Sequence, residues 1–308
     1  MINLKTVSVI VSTYTKDRFR DVNNCIDSLR SQTLQPNEIL LVLDPNEELV
    51  AFFKSHIPST VKIVVSDNVG LSDARNAGVK NAESDIVAFI DDDAIADKQW
   101  LENLLVSYDV DPAVIGVGGR IIPKWEDKRP FWFPEELDWV VGCSYQGQPL
   151  ERKAIRNPIG CNMSFKRSVF DRVGYFRSDI GRFGNSLLCD EETEFSLRVL
   201  NGIDNSKIFY EPAAIVHHNV TRARGKVSYL WKRSFYEGLS KAIMTGKSTG
   251  SSALSTEDYY LKYLLSVSIP SSLKQIYKPE NAVKLLTLFL SISSVFAGFV
   301  TGRITRRE

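Results

Sequence analysis

Three consecutive aspartates, Asp91, Asp92 and Asp93, end a segment, residues 85–93, whose apolar part is typical of a buried β-strand. Clustered carboxylates repel one another and lose hydration when they are buried, so we expect a cation among them. Carboxylate oxygens are ligands that Mg²⁺ and Mn²⁺ prefer, and either cation also binds diphosphate oxygens. The Asp-x-Asp spacing at a strand end therefore predicts a divalent metal site that faces a diphosphate; a solvated turn is the alternative.

A second group of acids, CDEETE, opens the segment 189–200 with four carboxylates in six positions. The segment continues with Phe195, Leu197 and Val199, which predict a helix with an apolar side. Carboxylates at a helix N-terminus are stabilised by the helix dipole, so helix capping is one interpretation of this cluster. The other is catalysis, because a carboxylate can take the proton from a hydroxyl group as that group attacks a carbon atom.

The elements that must position these acids alternate between strand-like and helix-like patterns. The predicted strands are residues 6–14, 37–44, 61–67, 85–93 and 113–123. The predicted helices are residues 21–32, 48–56, 71–82 and 99–109, with Ser72 as the N-cap of the third. A later strand is expected over residues 207–218. The alternation predicts an α/β fold with a mainly parallel sheet covered by helices on both faces.

Ligands of such sheets bind beyond the carboxyl ends of the strands. Polar side chains follow four of the predicted strands and would share that edge: Thr13, Tyr14, Arg18, Asp44, Asp67, Asn68 and Asp91 to Asp93. No Gly-x-Gly-x-x-Gly pattern follows the first strand, which argues against a dinucleotide-binding domain. We therefore expect a polar, ligand-binding edge of a different type.

The 308 residues suffice for one large domain or two modest ones, and the net charge of +1 gives no general basis for nucleic-acid binding. The four cysteines form no Cys-x-x-Cys pair, and the N-terminal apolar run is too short for a signal peptide. We therefore expect reduced thiols and a catalytic domain on the cytoplasmic side of the cell membrane.

The C-terminal part has a different character. Residues 285–302 carry no charge and are flanked by Lys284 and by Arg303, Arg306 and Arg307. A length of 18 residues is at the lower limit for spanning about 30 Å of hydrocarbon. We expect residues 281–308 to form an apolar membrane anchor; a buried helix of the globular fold is the alternative.

A basic, aromatic helix is predicted over residues 226–246, and seven Lys or Arg stand against one acid, Glu237, between Arg222 and Lys247. We interpret residues 226–280 as a membrane-surface region in which basic side chains such as Arg233 and Lys241 meet anionic headgroups. A solvated amphipathic helix is the alternative.

An irregular, charged and aromatic segment, residues 124–140, contains three of the five tryptophans, Trp125, Trp132 and Trp139. Long loops of this kind in compact domains are usually functional or docked on the surface. The indole rings would offer flat apolar faces to a sugar or a lipid, or they would only anchor the loop.

Four segments together resemble family 2 glycosyltransferases of GT-A fold, and the resemblance extends over about residues 5–225. In chain order they are VSVIVSTYTKDR, NVGLSDARNAGVKNAESDIVAFIDDDA, GCNMSFKRSVFDRVGYF and DEETEFSLRV. The resemblance implies transfer of a sugar from a nucleotide diphosphate to an acceptor hydroxyl with inversion. It implies a catalytic domain at residues 1–225, with a nucleotide-sugar half at 1–123 and an acceptor half at 124–225.

The resemblance also implies residue roles. Those implied at the nucleotide are Thr13, Tyr14, Arg18, Asp44, Asn68, Arg75, Asn76, Asp91 and Asp92. Asp93 and Asp91, completed by His218 in preference to His217, would hold Mn²⁺ or Mg²⁺. Asp44 departs from the family pattern, because LDPNEE stands where the family often has a second acid followed by Gly and Ser.

For the catalytic base the resemblance favours Glu192, with Glu191 and Asp190 as alternatives. Gly160 and Asn162, in the segment NPIGCNMSF, would approach the donor sugar or the acceptor. Trp125 and Trp132 would contact a sugar.

Two segments, IRNPIGCNMSFKR and DEETE, are similar to those of archaeal glycosyltransferases that extend dolichyl-phosphate-linked glycans, a glucuronosyltransferase among them. The similarity implies a UDP-linked donor carrying glucuronic acid or another hexose, and a lipid-linked glycan as acceptor. Other interpretations are a transferase with a soluble or exopolysaccharide acceptor, a non-catalytic nucleotide-binding module, and a nucleotidyltransferase. The last needs a second pair of metal-binding carboxylates. No oligomeric state is predicted.

Overall fold

The computed structural model describes residues 5–181, 187–245 and 254–305. Its strands are β1 Val7–Thr13, β2 Glu38–Leu43, β3 Lys62–Val65, β4 Ile86–Asp91, β5 Ala94–Ala96, β6 Val114–Trp125, β7 Lys153–Ile155, β8 Asn162–Lys166 and β9 Lys207–Val220. Its α-helices are α1 Phe19–Arg30, α2 Glu47–His56, α3 Leu71–Asn81, α4 Trp100–Val110, α5 Ser168–Val173, α6 Glu191–Gly202, α7 Val227–Thr245, α8 Ser255–Tyr263, α9 Ile269–Lys274 and α10 Pro279–Ile304. Arg306, Arg307 and Lys247 lie outside the described residues.

All nine strands form one sheet, in the order β3-β2-β1-β4-β8-β6-β9-β5, with β7 added on β9. The first four are parallel, as predicted. Strand β8 is antiparallel to both β4 and β6, so β6 runs in the direction that the βαβ alternation predicted. The alternation did not indicate that a later strand would be inserted between them, because β8 comes from the irregular part of the chain.

The strands of the parallel half are continuous apolar runs because helices cover the sheet. Their core extends to an aromatic cluster around Phe170, whose ring stacks on Phe195 of α6 at a centroid distance of 4.7 Å. Phe165 of β8 meets Phe195 edge to face at 5.0 Å. Each fully buried side chain of this size stabilises the fold by about 1.5–3 kcal/mol. This packing holds the start of α6 against the sheet.

The start of α3 differs from the prediction. The residue before the helix is Gly70, with a φ of 131° that favours glycine, and no side chain caps the helix. Ser72, the predicted N-cap, lies in the first turn instead, where it is buried and its hydroxyl donates to the carbonyl of Ile180 at 3.2 Å. The prediction was wrong because the helix begins at Leu71, two residues earlier than a Ser72 cap would require.

The chain divides into two compact units. Unit 1 comprises the described residues of Met1–Ile122, Pro149–Ser186 and Glu191–His218, and unit 2 those of Pro123–Gln148, Leu187–Asp190 and Asn219–Glu308. The aromatic segment 124–140 thus groups with the C-terminal helices, whereas the sequence analysis placed it in the acceptor half of a catalytic domain. Long-range docking contacts of this kind leave no local pattern in the sequence.

In unit 2, α7 and α10 approach each other through small residues. The Ser234 and Ser291 hydroxyls are 2.9 Å apart, and a Cβ added at Gly298 would collide with the carbonyl oxygen of Phe235. Gly302 lies against Ala242 in the same way. The sequence numbers of the contacts rise together, so the two helices are parallel and their backbones lie close along most of α7.

The aromatic segment of unit 2 is fixed by hydrogen bonds. The Arg129 guanidinium binds both carboxylate oxygens of Asp138, at 2.7 and 2.8 Å, and lies over the Trp125 ring. The hydroxyl of Thr287 on α10 donates to the carbonyl of Trp132 at 3.0 Å. The Trp125 ring thus packs against Arg129 within the segment, and Trp132 contributes its backbone carbonyl; a sugar contact of either ring stays a prediction.

Two basic residues of α7 were expected at lipid headgroups and are instead buried. The Arg233 guanidinium donates to Glu237 at 2.9 Å, and the Lys241 ammonium lies 2.7 Å from Asp190 and 3.2 Å from Glu237. Although burial opposes it, the two cations lower the pKa of Glu237 to about 2. The expectation was wrong for Arg233 and Lys241 because the acids that neutralise them come partly from the segment before α6.

Candidate active site

The carboxyl ends of β1, β2 and β4 meet at one edge of unit 1, hereafter the rim. Ser12 pairs with Asp91 and Thr13 with Leu43 in the parallel ladders, so the residues that follow each strand are neighbours. Thr13 is buried at the end of β1, and Tyr14 after it is exposed. The rim therefore joins polar residues from distant parts of the sequence, as the strand pattern predicted.

The structure brings a protein cation to the aspartates, the guanidinium of Arg18, which follows β1. Its Nη1 atom is 2.6 Å from an Asp92 oxygen and 3.3 Å from an Asp93 oxygen. Burial raises the pKa of Asp92 to about 6, against the opposing effect of the Arg18 charge. The guanidinium also lies over the Tyr14 ring, at 5.4 Å. Arg18 was predicted to line the nucleotide pocket; the structure places its charge on the buried acids Asp92 and Asp93.

The two histidines have different partners. His218 is buried, and its Nε2 atom is 3.1 Å from an Asp93 oxygen. His217 is half-exposed and bonds Asp97 at 2.9 Å. The structure thus brings His218 to the aspartates, because β5 pairs with β9 and places Ala94 opposite His218.

The donor chemistry of Asp91, Asp93 and His218 fits a divalent cation, since Mn²⁺ accepts carboxylate and imidazole ligands together. Donor atoms of Asp91 and His218 lie within 4.8 Å of each other and of the Cys161 thiol. Asp91 is partly exposed, while Asp93 and His218 are buried behind it. Asp91, Cys161 and His218 are thus compact enough to bind one ion, and Asp93 contacts this group through His218.

Arg75, in the first half of α3, connects the aspartates to the acid cluster of α6. Its Nη1 atom is 2.7 Å from a Glu191 oxygen, and its Nη2 atom is 3.7 Å from an Asp91 oxygen. Arg75 and Glu191 are 3% and 4% exposed, so this is a buried ion pair. A Cβ at Gly160 would lie 2.6 Å from Arg75 Nη2, so only glycine leaves room for the guanidinium. The α6 acids and the strand-end acids therefore share one cation.

The three candidate bases lie in different surroundings. In unit 2, Asp190 adopts a φ of 79° and binds Lys241, and burial raises its pKa to about 6 against the Lys241 charge. In unit 1, Glu191 is held by Arg75, and Glu192 follows in the first turn of α6. Glu192 is the most exposed of the three. A proton acceptor must be reachable by the substrate, which favours Glu192.

Two predicted ligand-binding amides serve the fold instead. The Asn162 amide nitrogen donates to the carbonyls of Arg120 and Ala214, and its oxygen accepts from the Trp100 indole at 2.8 Å. The Asn76 amide is likewise engaged at both ends by the backbone of Phe176, at 2.8 and 2.9 Å. Asn162 thus makes three hydrogen bonds and Asn76 two within unit 1, and these bonds hold both side chains in the fold.

The remaining predicted rim residues lie at the ends of β2 and β3. Asp44 accepts from the Gly70 backbone N–H at 3.4 Å, and burial raises its pKa. Asn68 lies on the exposed side, 3.4 Å from Asp73. Their distance along the chain from Asp91 shows that the sheet, and not local sequence, assembles the site.

Sequence reasoning missed two residues beside the acids. Cys161 belongs to the donor group with Asp91 and His218. Gly181, with a φ of 104°, comes so close to Glu191 that an added Cβ would lie 3.1 Å from its carboxylate. Cys161 could have been considered, because it adjoins Gly160 in a motif already interpreted as ligand-binding. However, a cysteine beside a buried strand has no sequence pattern that distinguishes a metal ligand from a core residue.

Comparison with known proteins identifies the family. The model of glycosyl transferase family 2 matches residues 8–174, more than half of the chain. The chain belongs to glycosyl transferase family 2. The match includes the ends of β1 to β4, with the three aspartates, and β8 with the preceding Gly160.

Relatives of this family 2 protein extend the match. A glucosyl-dolichyl phosphate glucuronosyltransferase of Haloferax volcanii is 32% identical over 305 residues, which are 97% of this chain and 96% of that protein. The amylovoran biosynthesis glycosyltransferase AmsE of Erwinia amylovora is 32% identical over 119 residues, 37% of this chain and 45% of that protein. The first likeness includes the C-terminal helices of unit 2.

Solved structures establish the fold. A mannosyltransferase from Pyrobaculum calidifontis, in complex with GDP-Man and Mn²⁺, aligns with a TM-score of 0.61 at 17% identity, covering 97% of this chain and 87% of that chain. GalNAc-T7 with UDP, GalNAc and Mn²⁺ aligns with a TM-score of 0.52 at 15% identity, covering 87% and 57%. The GT-A fold predicted from the sequence is confirmed.

The buried Arg75–Glu191 pair generates a prediction about stability. Arg75→Met leaves the Glu191 carboxylate buried without its cation, and we expect the free energy of unfolding to fall by about 3–5 kcal/mol. Urea unfolding followed by tryptophan fluorescence measures the change. The control is Arg177→Met, which removes the more exposed pair with Asp179 and costs less than about 1 kcal/mol. Equal losses in the two variants would contradict the account of the site.

Proposed function

We propose that this protein is a metal-dependent inverting hexosyltransferase. Its donor would be a sugar linked to a nucleotide diphosphate, with UDP as the proposed nucleotide. Its acceptor would be a hydroxyl of a lipid-phosphate-linked glycan at the membrane surface. The observation that most supports this proposal is the Arg75 bridge between Glu191 and Asp91. It keeps an acid cluster and an Asp-x-Asp pair at one rim, and inverting transfer needs both a diphosphate site and a nearby base.

At the donor end, Asp91, Asp93 and His218 would hold Mn²⁺ or Mg²⁺. The cofactors of two solved GT-A structures, each with Mn²⁺ and a nucleotide or nucleotide sugar, support this assignment. When bound, such a cation neutralises the diphosphate and stabilises it as a leaving group. The Arg18 guanidinium lies within 3.3 Å of oxygens of Asp92 and Asp93, and Arg75 lies on the Asp91 side of the site.

At the acceptor end, Glu192 would take the proton from the attacking hydroxyl. Its place in the first turn of α6 puts it at the positive end of the helix dipole, close to Glu191 and the Arg75 bridge. Glu191, one residue earlier, is held by Arg75 and thereby fixes the start of the helix. In this assignment Glu191 is a positioning residue and Glu192 the catalytic residue.

The donor sugar and acceptor are proposed from the Haloferax volcanii relative, whose name specifies glucuronosyl transfer to glucosyl-dolichyl phosphate. The match covers nearly the whole of both chains, so it includes the segments that would contact the acceptor. We accordingly propose glucuronic acid as the transferred hexose and a dolichyl-type phosphate as the anchor of the acceptor. The assembly of a lipid-linked glycan would then take place on the cytoplasmic face of the cell membrane.

The C-terminal helix α10 would attach unit 2 to the membrane. It is the one helix of the described residues that is long and apolar enough to cross a bilayer, and only 28% of its most apolar window is buried. Its outward side carries exposed apolar side chains: Leu286, Phe289, Ile292, Phe296, Val300 and Ile304. Phe131 of the aromatic segment, which docks on α10 through Trp132, is also exposed. Lipid would cover this face.

We propose that α10 lies in the membrane surface and does not cross the bilayer. Its uncharged stretch is about 27 Å long at 1.5 Å per residue, slightly less than the hydrocarbon thickness. The parallel helix α7 accompanies it and carries Arg233, Glu237 and Lys241 alongside residues 291–302. Charged groups at the centre of a bilayer are costly, and an interfacial position avoids that cost.

The proposed chemistry predicts two different losses. Asp93→Ala should abolish both Mn²⁺-dependent binding of UDP-glucuronic acid and turnover, whereas Glu192→Gln should keep donor binding and lower turnover by about 100-fold or more. Binding is measured by calorimetry with and without Mn²⁺, and transfer by the UDP released with a glucosyl-lipid-phosphate acceptor. The control is Asp97→Asn, which changes an exposed carboxylate beside β5. Turnover at the wild-type rate in Glu192→Gln would refute its role as base.

The proposed membrane contact predicts an effect on lipid binding. Phe289→Asp combined with Phe296→Asp removes two apolar side chains from lipid, each contributing about 1.5–3 kcal/mol, so vesicle binding should fall by about 100-fold or more. Flotation with vesicles containing anionic lipid measures it. The matched control replaces exposed apolar residues of α4 in unit 1, Val106→Asp with Val110→Asp. Unchanged flotation of the α10 variant would contradict the proposal.

A further inference from the structure

The candidate active site contains a thiol, that of Cys161, to which the proposed transfer reaction gives no role. Cys161 precedes β8 and lies opposite Asp91, because Ile90 pairs with Asn162 in the antiparallel ladder and the two chains continue past each other. The Cys161 Sγ atom, an Asp91 carboxylate oxygen and a ring nitrogen of His218 all lie within 4.8 Å of one another. A sulfur, an oxygen and a nitrogen donor atom therefore lie close enough to one another to bind a single ion.

This donor set differs from the one that suits Mn²⁺ or Mg²⁺. Those ions take mainly oxygen ligands in six-coordinate shells, whereas Zn²⁺, Cd²⁺ and Co²⁺ also bind thiolate and imidazole, and Zn²⁺ is usually tetrahedral. Asp91 and His218 belong to both sets. Asp93 supplies the additional oxygen for a hard cation, and Cys161 supplies the sulfur for a thiophilic one.

A second group of similar composition, in unit 2, shows what separates a ligand set from a structural cluster. Cys189, Asp190 and Glu237 also bring their donor atoms within 4.8 Å of one another. There, however, the Lys241 ammonium lies 2.7 Å from Asp190, and the Arg233 guanidinium lies 2.9 Å from Glu237. Protein cations already occupy the positions that a metal ion would need. In the group of Asp91, Cys161 and His218, the Arg75 guanidinium lies 3.7 Å from Asp91 and makes its short contact with Glu191.

We propose that Asp91, Cys161 and His218 form a binding site for a thiophilic divalent cation such as Zn²⁺, which overlaps the Mn²⁺ or Mg²⁺ site and inhibits transfer when it is filled. The inhibitory part rests on the proposed function. Three protein ligands leave a tetrahedral ion only one open position, whereas a cation that holds a diphosphate needs positions for more than one phosphate oxygen. The chemistry of the site thus selects which cation supports turnover.

The direct test is titration of the full-length, reduced protein with Co²⁺, followed by absorption spectroscopy. A Co²⁺ ion bound to a thiolate shows a sulfur-to-metal charge-transfer band in the near ultraviolet as well as visible ligand-field bands. Wild type and Cys189→Ser should both show the band, and Cys161→Ala and Cys161→Ser should both lack it. Competition with a chromophoric chelator should show that Cys161→Ala weakens Zn²⁺ binding by more than about 100-fold, exceeding the effect of losing an outer-shell partner.

The outcomes separate this inference from the proposed function. A wild-type Co²⁺ complex without the thiolate band, or a band that survives in both Cys161 variants but disappears in Cys189→Ser, would overturn the assignment while leaving Mn²⁺-supported transfer intact. A normal Co²⁺ thiolate spectrum in a protein without Mn²⁺-supported transfer would refute the transferase proposal and keep the metal site. Zn²⁺ inhibition that is at least about 10-fold weaker in Cys161→Ala than in wild type, as site overlap requires, supports both.

Discussion

The structure of unit 1 depends on how it accommodates four acids close together: Asp91, Asp92, Asp93 and Glu191. Desolvated carboxylates at such distances destabilise a fold unless cations accompany them. Two arginines from different helical segments meet that need, Arg18 at Asp92 and Asp93, and Arg75 between Asp91 and Glu191. The charge that remains on the partly exposed side is the charge that a donor-bound cation would neutralise. The same electrostatic constraint that stabilises unit 1 is therefore also the basis of the proposed metal site.

Much of this arrangement could be predicted because it follows from strand ends. The positions of Asp44, Asn68 and Asp91 at the ends of parallel strands are consequences of β–α alternation, and the acid cluster opens α6 as its composition indicated. The choice of His218 over His217 was also possible, since alternate residues of a strand face opposite sides of the sheet. Local sequence patterns indicate where each strand ends, and the parallel topology then brings the carboxyl ends of the strands together.

What could not be predicted involves partners far apart in the chain. Asn76 and Asn162 stand in motifs typical of ligand binding, yet their amides bind backbone groups and the Trp100 indole, up to 100 residues away. The ion pair of Lys241 with Asp190 is likewise long-range, whereas Arg233 pairs with Glu237 one turn along the same helix. A polar side chain's type shows what it can bind, but only the packed fold shows which partner reaches it first.

Unit 2 also depends on the pairing of buried charges. Its buried charges are neutralised internally, its two long helices meet through glycine and serine, and its apolar side chains are left on the outer side of α10. The proposed membrane contact needs this distribution, because unpaired charge would oppose contact with lipid. Residues 187–190 belong to unit 2, and the chain passes from them directly into the acids of α6. Residues 187–190 and the acid cluster are thus consecutive parts of the chain, although they belong to different units.

The central claim, that a divalent cation completes the neutralisation of the rim, is tested most directly by a crystal structure with Mn²⁺ and UDP, using anomalous scattering at the manganese edge. We predict one manganese peak in direct contact with Asp93 and His218 and with a diphosphate oxygen of UDP. A structure in which UDP is bound at the rim while no manganese lies there, or in which Asp93 keeps only its contacts with Arg18 and His218, would contradict the account.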